Sequence, residues 1–251
     1  MAEIVKEEIL VDVKHLTKKF GDLLVLDDIS FNIKKGNLLC VVGPTGCGKT
    51  TFLNSLTKLY DITSGRILLN GEDVDPTKHN IAYIFQETST MPWLTVEKNV
   101  SFGLDIKHVN AKETKARVDE VLEMVGLSDY RNYYPRQLSS SMQQRVVIAR
   151  AFATKPDLLL MDEPYAQLDV ELRFRLEDEL VKLWEQIGTT ILFITHNIEE
   201  AVYLSEDIMI LTNKPTKVKT VIPNPMDRPR DISSKGSVEL RNQVTDLIRW
   251  W

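Results

Sequence analysis

The sequence predicts an α/β fold: an α/β core with an N-terminal antiparallel β subdomain and an inserted helical subdomain. Three observations predict it. Apolar runs recur at Ile81–Phe85, Leu158–Met161, Ile191–Ile194 and Ile208–Leu211, with helical patterns between most of them, as βα units around a parallel sheet require. A buried-strand pattern over Leu38–Val42 runs through a glycine-rich stretch into a helical pattern over Thr50–Leu56. Between about Pro92 and Leu138 the strand pattern stops.

Taken in order, Ile9, Val11 and Val13 fall at every second position, with the polar Asp12 between the last two, and Asp22–Ile33 gives a second strand-rich run ending at Lys35-Gly36. After the first helix, Ser64-Gly65 leads into Arg66–Leu69, and Asn70-Gly71 predicts a hairpin turn. In the strand-free middle, Asn110 with Glu113 three residues on marks a helix start. Val118, Val121, Leu122 and Val125 then make one apolar stripe, closed by Gly126. From Lys214 onward, Pro215, Pro223, Pro225 and Pro229 predict loss of regular structure, before an amphipathic stretch ending at Trp250-Trp251. The main domain is placed at 7–230, its helical subdomain at about 92–155, and a helical tail at 231–251.

The 251 residues suit one large domain with a subdomain, and 43% hydrophobic residues suffice for a core. A formal net charge of −5 argues against nucleic acid as the main partner. Two cysteines, Cys40 and Cys47, allow no disulfide framework and no metal spacing, which fits a reducing compartment. The acidic start has no signal-peptide core, and no apolar run is long enough to cross a bilayer. Any membrane part must come from another chain.

Gly43-Pro44-Thr45-Gly46-Cys47-Gly48-Lys49-Thr50 fits G-x-x-x-x-G-K-[ST]. The glycines permit a tight turn that brings backbone N–H groups to phosphate oxygens. Lys49 has the reach for the β and γ phosphates, Thr50 carries a hydroxyl for Mg²⁺, and Thr51 continues the helix start. Leu158–Met161 is an apolar strand ending in Asp162 and Glu163, the first suited to Mg²⁺ and the second to polarising a water. Ile191–Thr195 ends in His196, Ile81–Phe85 ends in Gln86, and Phe20 precedes Gly21. Singly, each of these last three reads as an ordinary structural residue.

Together and in this order they resemble the nucleotide-binding subunit of ABC transporters over nearly the whole chain. The resemblance implies a P-loop NTPase core of ABC ATPase type that binds ATP and Mg²⁺. It implies adenine stacking by Phe20, γ-phosphate sensing by Gln86, which also joins Thr50 and Asp162 at the metal, and a switch at His196. Leu138-Ser139-Ser140-Ser141-Met142-Gln143-Gln144-Arg145 stands where the family has its L-S-G-G-Q signature, which binds ATP across a dimer. Tyr165-Ala166-Gln167-Leu168-Asp169 stands at the dimer-contacting D-loop, with Tyr165 and Gln167 in place of the usual small residues. His196–Ser205 and the Pro-Met-Asp-Arg-Pro-Arg run at 225–230 are similar to the nitrate, sulfonate and taurine importers.

The signature departs from the family at Ser140 and Ser141, both glycine there. A positive φ at either would cost on the order of 1 kcal/mol. Ser140 with Gln143 also forms S-x-x-Q, so the Ser140 hydroxyl is expected to cap its own helix in competition with phosphate; equally, the added hydroxyls can donate to it. The resemblance implies an ATPase subunit at the cytoplasmic face of the inner membrane, in a homodimer or heterodimer. Its partners are an integral permease and, through it, a solute-binding protein. A weakly hydrolysing regulatory partner, and a soluble ABC ATPase unconnected with transport, are the alternatives.

Overall fold

A computed structural model describes residues 8–248; the predicted domain start at residue 7 and the closing Trp250-Trp251 lie outside the described residues. The chain forms two compact units, residues 8–79 with 189–248, and residues 80–188.

The first unit opens with β1 (Ile9–Phe20) and β2 (Leu23–Lys34), an antiparallel hairpin turning at Gly21-Asp22. Then come β3 (Leu38–Val42), α1 (Lys49–Leu56), β4 (Ser64–Leu69) and β5 (Glu72–Asp73). One antiparallel sheet runs in the order β2-β1-β4-β5, and Asn70 and Gly71, at φ 53° and 80°, make its predicted tight turn. In β1 Leu10, Val11, Val13 and Leu16 are buried and Ile9 is exposed, with the register shifting between Val13 and Leu16.

In the second unit β6 (Ile81–Ile84) pairs in parallel with β7 (Leu158–Asp162). Between them in sequence lie α2 (Val96–Ile106), α3 (Ala111–Met124) and α4 (Ser140–Ala153), and α5 (Val170–Ile187) follows β7. Asn110 does start α3: its Oδ1 accepts from the Glu113 N–H at 3.0 Å, and Val118, Val121, Leu122 and Val125 are buried. The Glu113 carboxylate returns to the Asn110 side-chain amide, at 3.2 Å, and not to its backbone.

Returning to the first unit, β8 (Thr190–Thr195), α6 (Ile198–Leu204), β9 (Asp207–Leu211), β10 (Val218–Pro223) and α7 (Lys235–Ile248) complete the described chain. Both β8 and β9 flank β3 in parallel register, and all five β3 side chains are buried. The expectation of irregular chain after Lys214 is corrected by β10, an antiparallel edge on β9. The prolines 215 and 223 bound that strand and do not interrupt it. Among the described residues no helix is long and apolar enough to cross a membrane.

Gly65 lies opposite an irregularity in β1 between Lys14 and Thr17, where His15 has φ 52°. A Cβ on Gly65, itself at φ 97°, would stand 2.3 Å from the His15 carbonyl oxygen. Gly65→Ala should therefore lower unfolding stability in urea by roughly 2–5 kcal/mol, through left-handed backbone and overpacking together. At Gly71, where an added Cβ meets nothing within 4 Å, alanine should cost only the backbone part, about 1–2 kcal/mol. Equal losses at the two sites would contradict the close-approach argument.

Candidate functional site

The glycine-rich loop leaves the buried strand β3 at Gly43, where a Cβ would come 3.0 Å from Leu211 Cβ and 3.2 Å from Cys47 Sγ. Gly46 and Gly48 take φ 75° and 116°, and a Cβ on Gly48 would also sit 3.0 Å from Val25 Cγ1. All three glycines are thus fixed by backbone shape or by space. Inside the loop the Cys47 N–H donates to the Pro44 carbonyl at 3.2 Å. The buried Thr216 hydroxyl donates to the Cys47 carbonyl, tying the loop to the far end of the chain. Burial pushes the Cys47 thiol pKa up, against the pull of the Lys49 ammonium.

α1 begins at Lys49 with no side-chain cap and no carboxylate in its first turn. No side-chain oxygen closes this helix start, the Lys49 backbone N–H turns to the Cys47 thiol, and the helix dipole adds positive potential there. Lys49 is buried, and its Nζ arches back to the Gly43 and Pro44 carbonyls at 3.1 and 3.3 Å. Cradle, bare helix start and ammonium together fit a polyphosphate. Thr45 and Thr50 are exposed; Pro44 and Thr51 are half-buried. In the same unit Phe20 is exposed at the end of β1, edge-on to Tyr60 at 5.5 Å, with Lys18 Nζ 4.5 Å from its ring centre.

Strand register brings other predicted residues to common ends. In the first unit Val42 pairs with Thr195, so the loop and the exposed His196 leave neighbouring strands side by side. In the second, Ile84 pairs with Met161, so Gln86 and the Asp162-Glu163 pair do likewise. Ligands of open α/β sheets gather at these carboxyl ends. Asp162 is buried with the Tyr83 hydroxyl at 3.4 Å, and Glu163 turns the chain at φ 46°. Thr50 in the first unit, and Gln86 and Asp162 in the second, each carry an oxygen of the hard type that Mg²⁺ takes. Among the described residues there is no group of three or more His, Cys, Asp or Glu that could hold a metal ion.

The signature departs from expectation. Ser139, not Ser140, is the N-cap of α4: its Oγ accepts from the Met142 N–H at 3.3 Å. Ser140 is already the first helical residue, and Gln143 reaches the Leu138 carbonyl at 3.3 Å, so no capping box forms at Ser140. Neither Ser140 nor Ser141 has positive φ. The Ser141 hydroxyl instead bonds the Ser139 hydroxyl at 2.9 Å.

A family model described as ABC transporter matches residues 26–166. The chain belongs to the ABC transporter family. It is an ATP-binding, ATP-hydrolysing subunit of that family. It is 39% identical over 246 residues to an uncharacterized ABC transporter ATP-binding protein of Methanocaldococcus jannaschii, covering 96% of this chain and 92% of the relative. It is 40% identical over 237 residues to an aliphatic sulfonates import ATP-binding protein of Bacillus cereus, covering 94% and 93%. Among solved structures, cbiO1 of Clostridium perfringens matches in fold with TM-score 0.79 at 24% identity, over 96% and 98% of the two chains. The dimeric structure of a post-hydrolysis state of an ATP-binding cassette bound to ADP and Pi matches with TM-score 0.74 at 31% identity, over 87% and 100%.

Several residues of this ABC subunit escaped sequence reasoning. Thr216, behind the phosphate loop, carries no motif at all. Thr88 bonds Gln144 at 3.2 Å, and Arg150 donates to the Ser89 carbonyl and hydroxyl at 2.8 Å, so the segment after Gln86 is tied to the signature helix. Tyr165, unusual for a D-loop, is fully buried with its hydroxyl donating to the Leu176 carbonyl at 3.3 Å, whereas Gln167 is exposed. The large D-loop aromatic is therefore a core anchor for α5.

Ser139→Ala should cost about 1 kcal/mol in urea unfolding as a lost N-cap. Ser140→Ala, at a helical position without that duty, should change stability by less than about 0.5 kcal/mol. The reverse ranking would restore Ser140 as the cap.

Proposed function

We propose that the chain energises a membrane importer, binding at the cytoplasmic face to an integral permease that receives its solute from a binding protein. The uncapped, carboxylate-free start of α1 behind a glycine-shaped loop carries this reading, because it is built for a triphosphate. The solute is an aliphatic sulfonate, a choice supported by the Bacillus import relatives at 40% identity. Nitrate and taurine belong to the same broader resemblance.

In this reading Lys49 and the first N–H groups of α1 hold the β and γ phosphates, and Phe20 stacks on adenine. Thr50, Gln86 and Asp162 would hold Mg²⁺, which would supply positive charge against the phosphates. Glu163 accepts a proton from the attacking water, and His196 orients the γ phosphate. Ser139, Ser140 and Ser141 contact the nucleotide of a second ATPase subunit, a copy or a close relative of this one. ATP drives closure only as far as it binds the closed dimer more tightly than the open one.

Uptake of a labelled alkanesulfonate by cells carrying the transporter should fall to background with Lys49→Ala; undiminished uptake would overturn the proposal. Glu163→Gln should keep ATP bound while slowing hydrolysis by roughly 10²-fold or more, and light scattering should show an ATP-loaded dimer accumulating. Normal turnover in that variant removes Glu163 from the proton transfer.

A further inference from the structure

The run after β10 has no part in nucleotide chemistry, yet three of its side chains grip the C-terminal end of α6. Asn224 Nδ2 donates to the Val202 and Ser205 carbonyls at 2.8 and 3.0 Å. Arg230, whose side chain is only 1% exposed, donates to the Tyr203 and Ser205 carbonyls at 3.0 and 2.6 Å. Arg228 donates to the Leu204 carbonyl, and both guanidiniums pair with Glu206, at 2.8 and 3.1 Å. Carbonyls that a helix end leaves without intrahelical donors are thus taken by side chains, two of them cations at the negative end of the dipole. Farther along, Arg241 of α7 holds Glu199 in the first turn of α6 at 3.0 Å.

His196 lies at the other end of this short helix. The Thr195 hydroxyl accepts from the Asn197 N–H at 2.9 Å and bonds the buried Glu200 carboxylate. Asn197 caps α6 by accepting from the Glu199 N–H at 2.9 Å. With seven residues, α6 is far below the length at which a helix stands by its own hydrogen bonds. At 1.5 Å per residue it spans about 10 Å, so a displacement at its held end is carried to Asn197 and His196.

We infer that Asn224, Arg228 and Arg230 are positioning residues for ATP hydrolysis: by fixing the C-terminal end of α6 they set where His196 stands. The inference deepens the ATPase reading and rests on it for its kinetic consequence. Misplacing a catalytic group by an ångström is a kcat defect, whereas the phosphate loop that sets nucleotide affinity is untouched.

The test compares wild type, Arg228→Gln, Arg228→Lys and Asn224→Ala in the full chain. Steady-state hydrolysis gives kcat and KM, a fluorescent ATP analogue gives affinity, and NMR of ring-labelled histidine reports His196. The sequence has four histidines, so His196→Gln assigns that resonance. Arg228→Gln should lower kcat about tenfold or more with KM and affinity within about twofold. It should also shift the His196 resonance and leave those of His15 and His108 in place, and Arg228→Lys should recover part of both effects. An unmoved His196 resonance, or an unchanged kcat in a folded variant, overturns the inference. If Arg228→Gln does not fold, Asn224→Ala, which keeps both guanidiniums, decides by the same two readouts. Absence of turnover in wild type would sink the ATPase reading alone, because the resonance is read without nucleotide.

Discussion

Gly48 occupies the position before α1 at φ 116°, with Val25 so near that a Cβ would stand 3.0 Å from it. A residue held there has no side chain with which to cap the helix. Each of α2 to α6 is capped by its own side chain, from Thr95, Asn110, Ser139, Asp169 and Asn197. α1 is the exception: no side-chain oxygen closes its start, which leaves that end open to an acidic ligand. The surrounding arrangement serves that exception. β3 is buried between β8 and β9 and so fixes where the loop starts, Thr216 holds the loop from behind, and Lys49 adds charge.

The same physics acts in the opposite sense at α4. There the helix start already has an internal acceptor in Ser139, and Ser141 bonds that hydroxyl in turn. In the proposed dimer, a γ phosphate brought to this end would compete with Ser139 for the Met142 N–H and the Ser141 hydroxyl. Replacing glycine by Ser140 and Ser141 introduces no left-handed strain, since neither backbone has positive φ. The departure from the family pattern therefore concerns hydrogen-bond competition and not backbone shape.

Much of this was legible in the sequence, for identifiable reasons. The phosphate loop is local in sequence, and its glycines declare both the turn and the missing cap. Apolar strands ending in Gln86, Asp162-Glu163 and His196 announce themselves by composition, and parallel register then sets the first and last of these beside their neighbours. What stayed hidden depends on contacts remote in sequence. Thr216 meets Cys47 across 169 positions, and Arg230 meets Ser205 across 25. β10 was masked by its flanking prolines, although Val218, Thr220 and Ile222 alternate as a strand should. The Ser140 cap failed because S-x-x-Q and the adjoining Ser139 offer two registers, and only the observed start of α4 selects between them.

If a bare helix start with a buried lysine carries nucleotide binding, the phosphates must supply most of the affinity. Thermal unfolding in the presence of adenosine, tripolyphosphate or ATP, each with Mg²⁺, tests this directly. A ligand at 100 times its Kd stabilises the folded state by about 2.7 kcal/mol. Tripolyphosphate should raise Tm by a large part of the ATP shift, and adenosine at the same concentration should leave it nearly unchanged. A shift with adenosine equal to that with ATP, and none with tripolyphosphate, would contradict the account.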